Sequence, residues 1–263
     1  MMRSLWSAAS GMIAQQTNMD VISNNIANVN DYGGKKVRAE FQDLLYQTVR
    51  EAGATSGADA QYPTGKQIGL GTRVAATQRV FTQGPLQTTD NPTDVGIQGE
   101  GFFRITLPDG TTAYTRDGTF KLDSNRRMVT TDGYPLADGI TFDQTSPSDS
   151  IVIAGDGTVS ETPAGGTTQQ VGQITLARFV NPAGLTAIGK NLFIVSEASG
   201  EAIESNPGEQ GAGTLTQGTL EMSNVQIVEE MVHMIISQRA YESNSKAVTT
   251  SDSMLEIANG LKR

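Results

Sequence analysis

Side chains that could carry catalysis are scarce in this sequence. The chain has a single histidine, His233, and no cysteine. A Ser-His-Asp triad would depend on that one imidazole, and the absence of thiols excludes thiolate nucleophiles, disulfides and zinc–thiolate sites. His233 lies between Val232 and Met234 in a predicted helix, where a lone histidine is typical of packing or of the surface. The sequence therefore predicts no catalytic residue, no metal ligand and no cofactor.

Two further patterns resemble functional sites without their required context. Gly96, Gly99 and Gly101 suggest a phosphate-binding loop, but the apolar run that follows, residues 102–105, predicts a strand. Phosphate loops need a helix N-terminus at this point, so we expect a tight turn or a bulge instead. Acidic residues are abundant, but they lack the D-x-D-x-D-G spacing of a calcium loop. Nothing specific favours an enzyme or a sugar-binding site.

Charge and hydropathy exclude other classes of function. The net charge is −9, and residues 51–217 contribute −8 of it. No basic stripe exists to neutralise phosphates, so neither a nucleic acid nor an anionic membrane surface is an expected partner. The apolar stretch from Leu5 to Ile13 is interrupted by polar residues and glycine, which argues against a cleaved signal peptide. No run reaches the ~18 apolar residues of a membrane span.

Helix-breaking residues divide the chain sharply. All nine prolines lie between Pro63 and Pro207, and 24 of the 29 glycines lie within residues 51–217. Helical ends around a turn-rich middle are therefore predicted. We expect an N-terminal helix and turn at 1–50, a linker or extended loop at 51–67, a central β domain at 68–217 and a C-terminal helix at 218–263.

Both ends carry apolar residues at helical spacing. The C-terminal helix is expected to begin with a capping box at Ser223 and Gln226 and to end at Gly260. The N-terminal stripe comprises Leu5, Ala9, Met12, Met19, Ile22, Ile26 and Val29. The C-terminal stripe comprises Val225, Val228, Val232, Ile235, Val248, Leu255 and Ala258. Two such helices could be core helices of an ordinary domain, but their narrow stripes and polar remainder favour self-association.

The middle of the chain predicts β structure. Asp-Gly, a strong hairpin signal, occurs five times, at Asp109, Asp117, Asp132, Asp138 and Asp156. Short β-rich runs lie around these turns, at 102–107, 112–115, 119–122, 151–153, 173–180 and 191–195. The predicted fold class is α+β. Long terminal helices pair as an antiparallel coiled-coil-like unit, and the central all-β domain is a sandwich or irregular barrel.

Motifs at both ends resemble those of the flagellar rod and hook axial family. The first is the run Ser23-Asn24-Asn25-Ile26-Ala27-Asn28-Val29-Asn30. The matching C-terminal signature comprises Ser223-Asn224-Val225, Glu229-Glu230-Met231 and Gln238-Arg239-Ala240-Tyr241-Glu242-Ser243-Asn244. Residues 39–48, 67–72, 101–103 and 113–118 are similar to the distal-rod type of this family. One departure is Asp31-Tyr32-Gly33-Gly34-Lys35, where the family usually has Thr-x-Gly-Phe-Lys.

The resemblance implies a structural subunit of the distal rod, a polymer that transmits motor torque to the hook and encloses the export channel. Implied partners are copies of the chain itself, proximal rod proteins, the hook protein, the P and L rings and the flagellar type III export apparatus. The implied location is the part of the basal body that crosses the periplasm, reached without a cleaved signal peptide. We expect the signature and stripe residues to form the assembly surface, and residues 51–67 to stiffen the rod.

Two alternatives remain open from the sequence. The chain could be a proximal rod or hook subunit of the same family, or a secreted β-rich binding module with helical appendages. A binding module predicts a ligand and a well-folded monomer, whereas a rod subunit predicts protease-sensitive ends before assembly.

Overall fold

The computed structural model describes residues 2–57, 60–143, 151–163 and 167–260. Internal contacts divide the chain into two compact units. The helical unit comprises residues 1–26, 37–78 and 226–263, and the β unit comprises 27–36 and 79–225. These boundaries differ from the expected ones, because residues 37–78 belong with the helices and the turn at 27–36 belongs with the β unit.

Two long helices form the ends of the described chain. Helix α1 spans Met2–Ala27 and helix α2 spans Ile227–Gly260. Glu229 and Glu230 lie in the first turn of α2, where carboxylates interact favourably with the helix dipole. The predicted cap at Ser223 is wrong, because α2 begins only at Ile227, and the Ser223 hydroxyl accepts a hydrogen bond from the Val225 amide in a turn ahead of the helix. Helix α2 reaches Gly260, the predicted end of the helix and the last residue that the structure describes.

The remainder of the helical unit consists of short strands. They are β1 (Val37–Asp43), β2 (Tyr46–Arg50), β3 (Thr55–Gly57), β4 (Ala60–Gln61), β5 (Lys66–Gly69) and β6 (Thr72–Arg79). Strand β1 pairs with β6, β2 with β5 and β3 with β4. The expectation of a loop at 51–67 is therefore corrected, except at residues 58 and 59, which lie outside the described chain. Pairing with β2 stabilises β5, and the weak strand propensity of its lysine and glycine concealed it.

The β unit contains fifteen strands in its described residues. They are β7 (Leu86–Thr88), β8 (Val95–Gln98), β9 (Phe102–Thr106), β10 (Thr112–Thr115), β11 (Lys121–Leu122), β12 (Met128–Val129), β13 (Ile151–Ile153), β14 (Thr158–Glu161), β15 (Gln169–Gln173), β16 (Leu176–Arg178), β17 (Thr186–Gly189), β18 (Leu192–Ile194), β19 (Ile203–Ser205), β20 (Thr214–Gln217) and β21 (Thr219–Glu221). The largest sheet has the order β17-β18-β10-β9-β16-β19 and is antiparallel throughout. Two edge strands remain, so this sheet is open rather than a closed barrel.

Four of the five Asp-Gly pairs place glycine at positive φ, as turns of this kind require. The turn at Gly110 joins β9 to β10, and the turn at Gly157 joins β13 to β14. Gly118 is the exception. A Cβ atom there would lie 1.8 Å from the Val95 carbonyl oxygen, so this glycine permits close backbone contact instead of a hairpin. Gly99 and Gly101, at positive φ ahead of β9, form the expected turn.

The β unit has a continuous apolar core. Phe103 and Phe120 stack edge to face at 5.0 Å and lie among buried Ile97, Ile105 and Leu176. A smaller aromatic cluster is formed by Phe102, Tyr114, Phe179 and Phe193. Paired terminal helices and a central β-rich domain confirm the predicted fold class.

Candidate assembly surface

Helices α1 and α2 contact each other through a polar seam. The Asn18 amide donates to the Ser237 hydroxyl at 2.8 Å, and the hydroxyls of Ser4 and Ser251 are 3.2 Å apart. Glu230, Ser237 and Ser251 are the buried residues of α2, which is described throughout its length. The face of α2 that packs is therefore its polar face.

Asn25, from the signature run, is the most connected residue of this seam. Its side-chain amide nitrogen donates to the Val37 carbonyl at 2.8 Å, and its oxygen accepts from the Val37 amide at 2.9 Å. The same nitrogen lies 3.2 Å from Glu230 Oε2. A buried amide that matches a backbone donor and acceptor acts like one more strand residue beside β1. Asn25 thus holds α1 to both β1 and α2.

The remaining N-terminal signature and stripe residues are distributed around α1. Ile22 is buried, at 4% exposure. Leu5, Met12, Met19 and Ile26 are half-buried, whereas Asn24, Ala27 and Asn28 are exposed. Leu5, Met12, Met19 and Ile26 each follow a seam position by one residue, so these side chains flank the seam.

The predicted apolar stripe of α2 lies at its surface. Val228 is 76% exposed and Ile235 is 55% exposed. They belong to two rows along the first three turns of α2, which we call the apolar rows: Ile227, Met231 and Ile235, and beside them Val228, Val232 and Ile236. All six side chains are exposed within the helical unit. Large contiguous apolar patches of this kind mark interaction sites.

The C-terminal signature continues along α2. Gln238 and Arg239 are exposed, and Arg239 forms an ion pair with Glu242 at 3.2 Å. Tyr241 is also exposed, while Ala240 and Asn244 are half-buried. His233 lies exposed on the same helix. None of the described residues forms a cluster of histidine, cysteine, aspartate or glutamate that could hold a metal ion.

Asn224, from the start of the C-terminal signature, acts within the β unit. Its side-chain oxygen accepts from the Lys36 amide at 2.7 Å, and its nitrogen donates to the Val80 carbonyl at 2.9 Å. The neighbouring Val225 is buried. These bonds join three chain segments that are distant in sequence, which gives the asparagine a structural role in the turn before α2.

The structure also contains a buried charge cluster that sequence reasoning missed. Lys35 Nζ lies 2.5 Å from Glu221 Oε1, and Arg116 Nε donates to Glu221 Oε2 at 2.8 Å. Burial lowers the pKa of Lys35, an effect that the neighbouring Glu221 opposes. The Arg116 guanidinium also donates to the carbonyl oxygens of Gly99 and Gly101 at 2.6–2.9 Å. No local pattern in the sequence marks this cluster, because Lys35, Arg116 and Glu221 are far apart along the chain.

The turn before Lys35 requires glycine at position 33. Gly33 has φ +66°, and a Cβ there would approach the carbonyl carbon of Arg116 to 2.6 Å. A Cβ at Gly34 would lie 3.2 Å from the Asp31 carbonyl oxygen. Tyr32 is half-buried, and its carbonyl accepts from the Asn191 amide at 3.3 Å. The unusual turn is therefore compatible with the fold because close backbone packing surrounds it.

Three family models match the chain in the order that the motifs predict. They are a flagella basal body rod protein model at residues 5–30, a flagellar hook protein FlgE/F/G D1 domain model at 96–161, and a flagellar basal body rod FlgEFG protein C-terminal model at 216–261. Paired terminal helices around a β unit, with matches at both ends and in the middle, define a flagellar axial protein. Neither helix of the described chain is long and apolar enough to span a membrane.

Whole-chain relatives narrow the class. The chain is 56% identical to the flagellar basal-body rod protein FlgG of Borreliella burgdorferi, over 100% of both chains. It is 48% identical to the corresponding protein of Caulobacter vibrioides, over 99% of this chain and 100% of that one. The chain belongs to the family of flagellar basal-body rod proteins FlgG. It is a structural distal-rod subunit of the flagellar basal body.

A solved structure, the Helicobacter pylori flagellar hook protein FlgE2, aligns with 71% of this chain and 43% of that chain. Its identity is 15% and its TM-score is 0.24, which is too low to support any argument about this molecule.

Proposed function

We propose that this rod subunit polymerises with copies of itself through its helical unit, forming a rigid shaft that transmits motor torque to the hook and encloses the export channel. The observation that carries the proposal is the pair of apolar rows on α2, which the chain leaves uncovered within its own helical unit. Burial of one such side chain contributes roughly 1.5–3 kcal/mol. Six of them along three helical turns provide a strong driving force for association.

The rows favour a second copy over a small ligand. They form a convex helix surface, whereas small-molecule sites are concave. A surface that binds a different surface of an identical copy gives a head-to-tail contact, and repetition of that contact produces a helical filament unless the ring closes. The signature and stripe residues named above form the proposed assembly surface.

A charge-insertion experiment tests this proposal. Val228→Asp with Ile235→Asp places two carboxylates in the apolar rows, and we expect the double variant to lose sedimentable polymer while keeping the thermal unfolding of the β unit. Thr249→Asp with Ser253→Asp is the control, because both residues are exposed on the same helix, lie outside the signature and the stripe, and add the same two charges. Polymerisation of the Val228/Ile235 variant at the control's level would contradict the proposal.

Residues 51–67 are proposed to stiffen the shaft. Within the helical unit, β2 pairs with β5 in a ribbon that exposes Tyr46 and Val49. A ribbon that wedges against a neighbouring copy would limit sliding between subunits. Deleting residues 51–67 should yield a curved or bendable polymer in electron micrographs, and a flexible Gly-Ser segment of equal length serves as the control for spacing. A straight rod after the deletion would contradict the proposed stiffening role.

Further partners follow from the position of a distal rod. We propose contacts with proximal rod proteins below, the hook protein above, and the P and L rings around the shaft, within the part of the basal body that crosses the periplasm. The −8 charge of residues 51–217 would reduce adhesion to a ring wall of like charge. Delivery is proposed through the flagellar type III export apparatus without signal cleavage. Accumulation of the intact chain inside cells that lack this apparatus would support that route, and its normal release would contradict it.

A further inference from the structure

The polar seam between α1 and α2 has a strict periodicity. Ser4 faces Ser251, Gly11 faces Asn244, Asn18 faces Ser237 and Asn25 faces Glu230. Each step of seven residues along α1 is matched by a step of seven in the opposite direction along α2. This is the heptad spacing of an antiparallel coiled coil in a single register. In an ordinary coiled coil such layers are apolar, whereas here they consist of small or polar residues.

In the layer formed by Gly11 and Asn244, the size of the side chains selects the register. A Cβ atom on Gly11 would lie 2.7 Å from the Asn244 side-chain nitrogen. In its observed conformation the Asn244 side chain occupies the space that a side chain at position 11 would fill, so this conformation fits opposite glycine. A slip of one heptad in either direction would place Asn244 opposite Ser4 or Asn18, both of which carry side chains.

The layers also select the register by hydrogen bonding. In the observed register the Asn25 amide lies 3.2 Å from buried Glu230 Oε2. A slip in one direction moves Asn25 beyond the start of α2 at Ile227, and a slip in the other moves Glu230 beyond the end of α1 at Ala27. After either slip, one of these two buried polar side chains no longer faces the opposite helix. Losing such a partner costs about 1–3 kcal/mol.

We propose that this seam is a register key: its polar layers select α1 of the same chain as the partner of α2, in one alignment. The apolar rows lie outside the seam and are more hydrophobic than it. Apolar contacts alone tolerate alternative pairings, whereas single polar layers specify partner and register at a cost in stability. The key thus keeps the rows free for other contacts. This inference concerns pairing within one chain; it rests on the proposed assembly only for the concentration at which the helices form, and the ratio of two bridges does not measure polymer formation.

Disulfide trapping tests the register directly, because the chain contains no cysteine of its own. Ser4→Cys with Ser251→Cys reports the observed register. Ser4→Cys with Ala258→Cys reports a slip of one heptad and leaves every other layer intact. Oxidation is followed on the full-length chain, concentrated until circular dichroism shows the helix content of α1 and α2, which have 26 and 34 residues. We expect the in-register bridge to form at least about tenfold faster, as one lost buried hydrogen bond would produce.

The same two reporters are then placed in a chain that lacks the Gly11–Asn244 and Asn18–Ser237 layers of the key. Asn18→Leu, Ser237→Leu and Asn244→Ala together remove the hydrogen-bonded layer and the size match, while Asn25 remains to hold β1. The rate ratio of the two bridges should fall by about tenfold. Asn18→Ala with Ser237→Ala is a smaller change that favours helix, and it should lower the ratio in the same direction.

The matched control is Ser243→Leu with Thr250→Leu, which adds leucines to exposed positions of α2. Its rate ratio should equal that of the unchanged chain. An undiminished ratio in both key variants, or an equal fall in the control, would overturn the proposal. Equal rates for both bridges in the unchanged chain, or failure to reach the helix content at any concentration, would overturn it as well.

Discussion

Lys35 and Glu221 are separated by 186 residues in the sequence, and their side chains form a buried ion pair with Nζ 2.5 Å from Oε1. The Lys35 ammonium also donates to the Thr82 carbonyl at 2.9 Å, and the Gly84 amide donates to Glu221 Oε1 at 2.9 Å. The turn after α1 and the last strand before α2 are therefore joined through one carboxylate in the β unit. Each of these groups satisfies a buried charge: the Thr82 carbonyl contacts the Lys35 ammonium, and the Gly84 amide contacts the Glu221 carboxylate.

Removing one partner of this pair should destabilise the β unit strongly. Lys35→Met leaves Glu221 paired with Arg116 but removes its nearest cation and the donor to the Thr82 carbonyl, and leaving such buried groups unsatisfied costs about 1–3 kcal/mol. Urea unfolding measures the loss. Arg38→Met is the control, since its partner Glu40 and the arginine are both exposed and such pairs contribute at most ~1 kcal/mol. Equal destabilisation by the two variants would show that the buried pair has no special role.

Gly33→Ala should prevent the turn from forming as observed. The added methyl would lie 2.6 Å from the backbone of Arg116 and would require positive φ. We expect a loss of at least ~3 kcal/mol, the range of severe core defects. Gly110→Ala isolates the backbone effect, because Gly110 also has positive φ but no atom lies within 4 Å of its added Cβ; about 1 kcal/mol is expected there. Similar unfolding midpoints for the two variants would contradict the packing at Gly33.

Because of the Asp117 carboxyl, the β unit of the unchanged chain should be less stable near neutral pH than that of the Asp117→Asn variant. Burial raises the pKa of Asp117, an effect that hydrogen bonds from Thr119 oppose and the carboxylates of Asp94 and Asp31 reinforce. A raised folded-state pKa means that the folded chain binds more protons than the unfolded chain just above pH 3.8. The contribution of Asp117 to stability therefore falls as pH rises through that window.

Asp117→Asn keeps an oxygen that can accept both hydrogen bonds from Thr119. The variant should be more stable than the unchanged chain at pH 7, and its advantage should shrink as pH approaches 4. Thermal unfolding across this range measures the difference. Asp109→Asn is the comparison, because the pKa of exposed Asp109 is lowered, chiefly by its hydrogen bond with Thr111. A stability difference for Asp117→Asn that does not change with pH would contradict the assignment.

The two ends of the free chain should be cleaved by protease before the β unit. Their seam is small and polar, and the six side chains of the apolar rows are exposed, so little burial offsets the entropy of ordering the helices. Limited proteolysis of dilute chain, read by mass spectrometry, should remove segments of α1 and α2 first. Concentrated, sedimented chain is the internal comparison and should protect both helices. Resistant ends in dilute monomer would favour the secreted binding module instead.

The sequence predicted those features that depend on neighbouring residues. The strands Thr112–Thr115 and Ile151–Ile153 and the turns at Gly110 and Gly157 follow from local propensity and turn chemistry. Features that depend on distant partners were missed. Pairing with β2 stabilises β5, and contact with Val95 determines the role of Gly118.

The seam illustrates the same limit. Apolar spacing drew attention to Val228 and Ile235, which are exposed, whereas the residues that join the helices include Asn18, Asn25 and Ser237. Hydrophobic periodicity identifies a face that can be buried, but it does not say which molecule covers it. Asn18 and Ser237 are 219 residues apart along the chain, so their pairing leaves no local pattern in the sequence.

Electron microscopy of basal bodies from a strain lacking this chain tests the central claim most directly. A distal-rod subunit predicts basal bodies with short rods that carry no hook, and restoration of full-length rods when the unchanged chain is supplied. Supply of the Val228→Asp, Ile235→Asp chain should leave the rods short. Complete rods that lack only the hook, or complete rods and hooks without this chain, would contradict the account.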